Sequence, residues 1–273
     1  MLLLTMLILI TPLLVPAAFA GNDDSNNKEI GIEWVNDYSG PGLPFIPNTD
    51  DCARGFYNTL GNNGFTRNFD YGNSSAQERH WEKSSVEGQD TSYVETVDFV
   101  YFAGHGDEDE FWFGVNTDGG GSYPYRVHHS GALWGDVDLE WVFLKACEVL
   151  KESGQADWHA VYDNVGADLH GICGFHSSAY DTKTLGSTSA QYLLQSYSIK
   201  AAWKTATSND QHQYGTVWGA IQARELINIY TGIPFLFYGN ETMPGYGGGM
   251  YNDPSYYSNS VYYKTWYYER WLC

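Results

Sequence analysis

A histidine held between two glycines and a cysteine at the end of an apolar run are the residues of this chain best suited to covalent chemistry. His105 closes the stretch Val97–Gly106, Val-Asp-Phe-Val-Tyr-Phe-Ala-Gly-His-Gly. Cys147 closes Leu139–Cys147, Leu-Glu-Trp-Val-Phe-Leu-Lys-Ala-Cys. A cysteine nucleophile needs an accessible sulfur, a base within hydrogen-bond reach, and donors facing the developing oxyanion. His105 fits the base, or the proton donor to a leaving group, and Cys147 fits the nucleophile. The backbone N–H groups of Gly106 and Cys147 are the natural oxyanion donors, because a glycine in a turn blocks neither substrate nor amide. A helix starting just after Cys147 would favour the thiolate through its N-terminal partial charge. Each residue has a plainer reading as well. A terminal cysteine is often a small buried hydrophobe, whereas a histidine between two glycines is harder to explain as core. The pair is more specific than either member.

Both residues need strands to carry them. An apolar run rich in β-branched and aromatic residues and closed by glycine reads as a buried strand entering a tight turn. If the two runs are parallel neighbours, His105 and Cys147 meet at the carboxyl edge of a sheet, where ligands bind in open α/β folds. Further strands are expected at Ile30–Val35, Phe65–Tyr71 and Leu169–Phe175, with a hairpin from Phe111–Val115 to Tyr125–His129 around Gly119–Gly121. Helices are expected at Cys52–Leu60, Ser74–Lys83, Glu148–Asn164, Thr184–Tyr197 and Ile199–Ala206. Val217–Tyr230 fits helix or strand, Pro234–Asp253 reads as loop, and Tyr256–Trp271 as strand. Strands alternating with helices imply an α/β fold, its mostly parallel sheet covered on both faces.

His-Gly at the end of one hydrophobic run and Ala-Cys at the end of the next resemble the clan of cysteine peptidases that holds caspases, legumain, gingipains, clostripain and separase. The motifs are Ala103-Gly104-His105-Gly106 and Lys145-Ala146-Cys147-Glu148. The likeness spans roughly Ile30 to Ala206. With Trp134-Gly135-Asp136 and Gly174-Phe175-His176, the longer context resembles a secreted family called domain of unknown function 6345. The resemblance implies a caspase-like three-layer sandwich and a His105–Cys147 dyad. It further implies peptide hydrolysis through a thioester, with no metal or other cofactor. Two departures stand out: no Gln precedes Ala146, and Glu148 places a carboxylate beside the nucleophile, which raises a thiol pKa. Few arginines are present to hold an acidic P1 side chain, so a basic P1 residue is expected. Asp107, Asp136 or Asp181 could line its pocket, although each also reads as a loop carboxylate. His176 follows a strand end and, with Asp107 and Glu148, is a candidate site neighbour. The competing reading is an extracellular binding protein that keeps the fold without the activity.

Met1–Pro16 is almost wholly apolar and Ala18-Phe19-Ala20 is a small-x-small site, so residues 1–20 read as a secretory signal peptide cleaved near Ala20. Residues 21–29 read as a disordered terminus, 30–210 as the α/β domain, and 211–273 as an aromatic-rich, β-rich C-terminal extension packed on it. The chain carries 14 basic and 33 acidic residues, a formal net charge of −19. Such a surface repels nucleic acid and anionic membranes and favours solubility or a cationic peptide partner. The four cysteines, Cys52, Cys147, Cys173 and Cys273, form no C-x-x-C pair. If Cys147 stays free they allow at most one bridge, with Cys52–Cys273 the guess. His128, His129, His159, His170 and His176 show no zinc-site spacing and read as scattered. The run Asp107–Glu110 with Asn116 and Asp118 lacks EF-hand spacing and reads as a solvated loop.

Overall fold

The computed structural model describes residues 27–117, 123–154, 158, 161, 169–251 and 262–273. The expected signal peptide, the Gly119–Gly121 tip, Asp118 and His159 lie outside them, as does most of 155–168. The fold is mixed α/β around an eight-stranded sheet. In chain order its strands are β1 (Glu29–Trp34), β2 (Thr66–Gly72), β3 (Phe99–Ala103), β7 (Trp141–Lys145), β8 (Gly171–Phe175), β9 (Trp218–Asn228), β10 (Pro234–Phe237) and β11 (Tyr262–Leu272). A separate three-stranded sheet holds β4 (Gly106–Asp107), β5 (Glu110–Trp112) and β6 (Arg126–His128). The helices are α1 (Thr49–Gly61), α2 (Leu185–Leu194) and α3 (Ile199–Gln211).

The parallel part of the sheet runs β2-β1-β3-β7-β8. Antiparallel β9 pairs with β8 through Gly219–Ala223, with β10 beyond it, and with β11 along its whole length. The segment after residue 211 therefore adds strands to the same sheet. Val217–Tyr230 resolves as strand, because its β-branched and small residues lie against β8 on one edge and β11 on the other.

The central strands show why parallel sheets read as unbroken apolar runs. Side chains alternate between faces. Phe99, Tyr101 and Ala103 of β3, with Trp141 and Phe143 of β7, face one core. Val100, Phe102, Val142 and Leu144 face the other. Helices α1, α2 and α3 cover the first core through residues such as Phe56, Leu60, Leu193 and Trp203. The second core is closed differently from the expectation. Short 3-10 turns, the small sheet, Trp134, and Trp158 and Val161 in helical conformation cover it. Ser74–Lys83, expected as one helix, forms two such turns at Asn73–Ser75 and Glu78–His80. Trp81 explains the break. It is fully buried, edge-on to Phe111 at 5.1 Å and Trp134 at 5.6 Å, and its indole N–H reaches the buried carboxylate of Glu33 at 3.0 Å.

Two further expectations are corrected. All four cysteines are free thiols, so the guessed Cys52–Cys273 bridge is absent. Cys52 points into the helix-covered core against the Tyr101 hydroxyl at 3.3 Å. No helix starts directly after Cys147: residues 147–150 are turn, so no helix N-terminus lies at the thiol. Among the described residues no helix is long and apolar enough to cross a membrane.

Candidate active site

Register brings the two chemical residues to one place. In the β3–β7 pair, Ala103 lies opposite Lys145, and the ladder continues with Gly104 N–H donating to Lys145 O at 3.1 Å. His105 and Cys147 are each two residues further on. Both line one cavity of about 220 Å³ at the carboxyl ends of the parallel strands, with Ile46, Lys145, Ala179 and Asp181 among its other walls. Phe45 and Tyr180, 64% and 49% exposed, also line it and face solvent.

His105 is positioned through backbone and ring. Its N–H donates to the hydroxyl of buried Tyr38 at 2.7 Å, and the Tyr38 ring lies edge-on to the imidazole at 4.6 Å. Its Nε2 is 2.8 Å from Pro44 O. A carbonyl only accepts, so Nε2 carries the ring proton and Nδ1 holds the free electron pair of the neutral ring. Burial pushes the Tyr38 hydroxyl far above the usual phenol range, and the thiol of Cys147 adds to the shift. Tyr38 therefore stays a neutral acceptor toward His105.

Gly106 is required by close approach. A Cβ there would stand 2.7 Å from Cys147 O and 2.8 Å from both Ala146 Cβ and Val149 Cγ1. The histidine turn and the cysteine turn thus pack directly on each other. Trp112 N–H donates to His105 O at 3.0 Å, which makes the next pair, Gly106 with Phe111, the non-hydrogen-bonded one. The Gly106 N–H accordingly faces away from β5.

The half-buried sulfur of Cys147 accepts Ala179 N–H at 3.3 Å and lies 3.6 Å from Ala179 O. Burial raises the thiol pKa. The Ala179 N–H opposes the rise, Glu148 adds to it, and Lys145 opposes it. Glu148 lies in the left-handed region, φ 57°, and its carboxylate turns to Lys151 Nζ at 2.7 Å and Ser178 Oγ at 3.1 Å. Those contacts hold its carboxyl below the usual range, so it is a full negative charge beside the thiol but not in the cavity wall.

Of the expected acidic trio, Asp181 lines the cavity. Its Oδ1 accepts buried Lys145 Nζ at 2.8 Å, while its Oδ2 accepts the Asn48 backbone N–H at 2.9 Å and side-chain N–H at 2.8 Å. This ties the start of α1 to the end of β7 and neutralises much of the charge a basic side chain would seek. Asp107 sits on exposed β4, outside the cavity wall. Asp136 lies elsewhere, beside Glu95 and Asp90, where burial raises all three carboxyls.

His176 also turns away from the cavity. Arg270 Nη1 donates to its Nε2 at 2.6 Å, its Nδ1 contacts the Tyr268 hydroxyl at 2.9 Å, and that hydroxyl donates to Leu150 O at 2.8 Å. The ring fastens β11 to the turn after β7, and its lowered pKa, from burial and then Arg270, fits a neutral structural histidine. His170 is likewise buried, against Glu241 at 3.0 Å. Tyr38 and Pro44 carry no local motif, and Lys145, although it stands in the cysteine motif, has no role that the motif assigns. Only their long-range contacts mark them.

The model of a family described as a domain of unknown function (DUF6345) matches residues 32–255. The chain belongs to this family. The DUF6345 match begins within β1, contains β2 through β10, and includes every wall of the cavity named above. No curated protein matches this DUF6345 chain.

Proposed function

We propose that the protein is a cysteine peptidase-like hydrolase that opens peptide bonds with Cys147 as nucleophile and His105 as proton carrier. The observation that supports this most is the sharing of one cavity by the two side chains at the tips of adjacent parallel strands. In this reading the His105 Nδ1 takes the thiol proton and the sulfur attacks the peptide carbonyl. The backbone N–H groups of Gly106 and Cys147 stabilise the oxyanion. The protonated ring then gives its proton to the leaving amine, and water releases the acid from the thioester. Pro44 O holds the ring in the required tautomer. The sheet order and the face of helices suit a caspase-like sandwich, and the proposal extends to that likeness and to export of the protein through residues 1–20. The cavity wall of Phe45, Ile46, Pro47 and Tyr180 suits an extended peptide with an apolar or flat side chain. The pairing of Asp181 with Lys145 weakens the case for a basic one.

A thiol-reactive peptide probe tests the proposal, with Cys147→Ala as control. Labelling of the native chain at Cys147, lost in Cys147→Ala and reduced in His105→Ala, supports it. Equal labelling of native chain and Cys147→Ala overturns it.

Two observations favour a binding protein without turnover. The sulfur is held on Ala179 and its pKa is raised, while Ile229, Tyr230, Ile233 and Phe235 stand exposed around the β9–β10 hairpin. Peptide or glycan binding that survives His105→Ala, with no cleavage at any substrate on a peptide array, selects that reading.

A further inference from the structure

We propose that Asp109, His128 and His129 form a binding site for a divalent transition-metal ion of the zinc type, at the edge of the three-stranded sheet. Each offers one ligand atom, and the three atoms lie within 4.8 Å of one another. Asp109 Oδ2 is 3.4 Å from His129 Nδ1 and 3.7 Å from His128 Nε2. Tetrahedral ligands bound at about 2.0–2.1 Å stand about 3.3–3.4 Å apart, so the atoms are already near coordinating separation. Two imidazoles and a carboxylate suit zinc and its neighbours, and three protein ligands leave a fourth position for water or an outside ligand.

The fold builds this cluster from residues that sequence spacing leaves scattered. Adjacent strand residues point to opposite faces, yet the rings of His128 and His129 have centroids 4.0 Å apart. The reason is that β6 ends at His128 and a 3-10 turn, His129–Gly131, starts immediately. Asp109 occupies the β4–β5 turn with φ 62°, a left-handed conformation that disfavours residues other than glycine. His129 N–H donates to its carbonyl at 3.1 Å.

The second observation is at His129. Its Nδ1 is buried and makes no hydrogen bond. The 3.4 Å approach of Asp109 is an ion contact without hydrogen-bond alignment. Buried polar atoms are seldom left so, and a bound ion uses that electron pair. At His128, Nε2 must give up its proton to bind, and Nδ1 then carries it. Ser130 Oγ, 2.8 Å from Nδ1, accepts that proton, at the expense of the longer 3.3 Å bond from Ser130 N–H. This is the outer hydrogen bond that metal-bound histidines ordinarily make. The neighbouring acidic residues Asp107 and Glu108, in a chain of net charge −19, raise the local concentration of cations.

An ion here pins the β4–β5 turn to the end of β6, and so braces the hairpin whose Trp112 N–H holds His105 O. This consequence is independent of whether Cys147 reacts.

The test uses the full chain, stripped with EDTA and titrated with Zn²⁺ against a chromophoric chelator, and separately with Co²⁺ followed by its visible absorption. The expected result is one equivalent bound, a tetrahedral Co²⁺ spectrum, and a higher thermal midpoint. Affinity should fall at least tenfold in Asp109→Asn, His128→Asn and His129→Asn and be unchanged in His105→Ala. Far-UV circular dichroism confirms that each variant folds; should His129→Asn not fold, the other two decide. Absence of one-equivalent binding, retention of native affinity in the folded variants, or loss of binding in His105→Ala alone overturns the proposal.

Discussion

The hydroxyl of Tyr38 accepts the backbone N–H of His105 at 2.7 Å while its ring lies edge-on to the imidazole at 4.6 Å. One buried side chain thus fixes both the turn and the plane of the ring it carries. Tyr38→Phe keeps the ring contact and removes the acceptor. A buried N–H left without a partner costs about 1–3 kcal/mol. Chemical denaturation should report a loss of that size, and the peptide probe should label Cys147 more slowly, while iodoacetamide labelling stays unchanged. An unaltered denaturation midpoint would show that the hydrogen bond contributes nothing.

Gly106→Ala should damage both strand tips at once. The added methyl meets Cys147 O, Ala146 Cβ and Val149 Cγ1 at 2.7–2.8 Å, and two of these belong to main chain or to a short side chain that cannot swing away. Overpacking of this kind costs about 1–3 kcal/mol. The expected outcome is a lower thermal midpoint together with loss of peptide-probe labelling at Cys147. Full labelling would mean that the two turns separate easily.

The thiol should react as a buried one. Burial and Glu148 disfavour its charged form, and only the thiolate is nucleophilic. Iodoacetamide labelling of Cys147 should therefore rise with pH to a midpoint above that of an ordinary cysteine. Glu148→Gln removes a nearby negative charge, and should move the midpoint down and quicken labelling at neutral pH. A midpoint below the ordinary range in the native chain would contradict the electrostatic account.

Stability should fall from mildly acidic to mildly alkaline pH. Asp98 is fully buried. Its Oδ2 accepts Glu29 N–H at 2.6 Å, and its Oδ1 has no hydrogen-bond partner. Burial, with the charge of Asp138 adding, pushes its pKa up to about 8, and burial pushes Asp90 up to about 7. Both lie above the unfolded value of about 3.9. The folded chain therefore holds protons that the unfolded chain has released. Their contribution is complete below about pH 4 and is lost as pH rises through 7 and 8. Asp98→Asn keeps the shape without the charge. It should raise stability near pH 8 and flatten the pH profile of the thermal midpoint between about 4 and 8. An unchanged slope would mean that Asp98 titrates normally.

The sequence by itself determined the central strands and the residues they end in. Buried parallel strands have no solvent face, so β3, β7 and β8 are written as plain apolar runs, and glycine marks where the first of them must turn. That was enough to single out His105, Cys147 and Gly106, and the DUF6345 resemblance named with them agrees with the family match over residues 32–255. Tertiary structure alone decided the rest, because the deciding contacts join residues far apart in the chain. Register between β3 and β7 set the two tips side by side. Asp181 met Lys145, Pro44 met the His105 ring, and Arg270 drew His176 away from the cavity. A 3-10 turn brought His128 and His129 round to Asp109. Local pattern reports which way a side chain points along its own element. Which distant side chain it meets depends on strand order, register and where each turn closes, and these are set by the packing of the whole core.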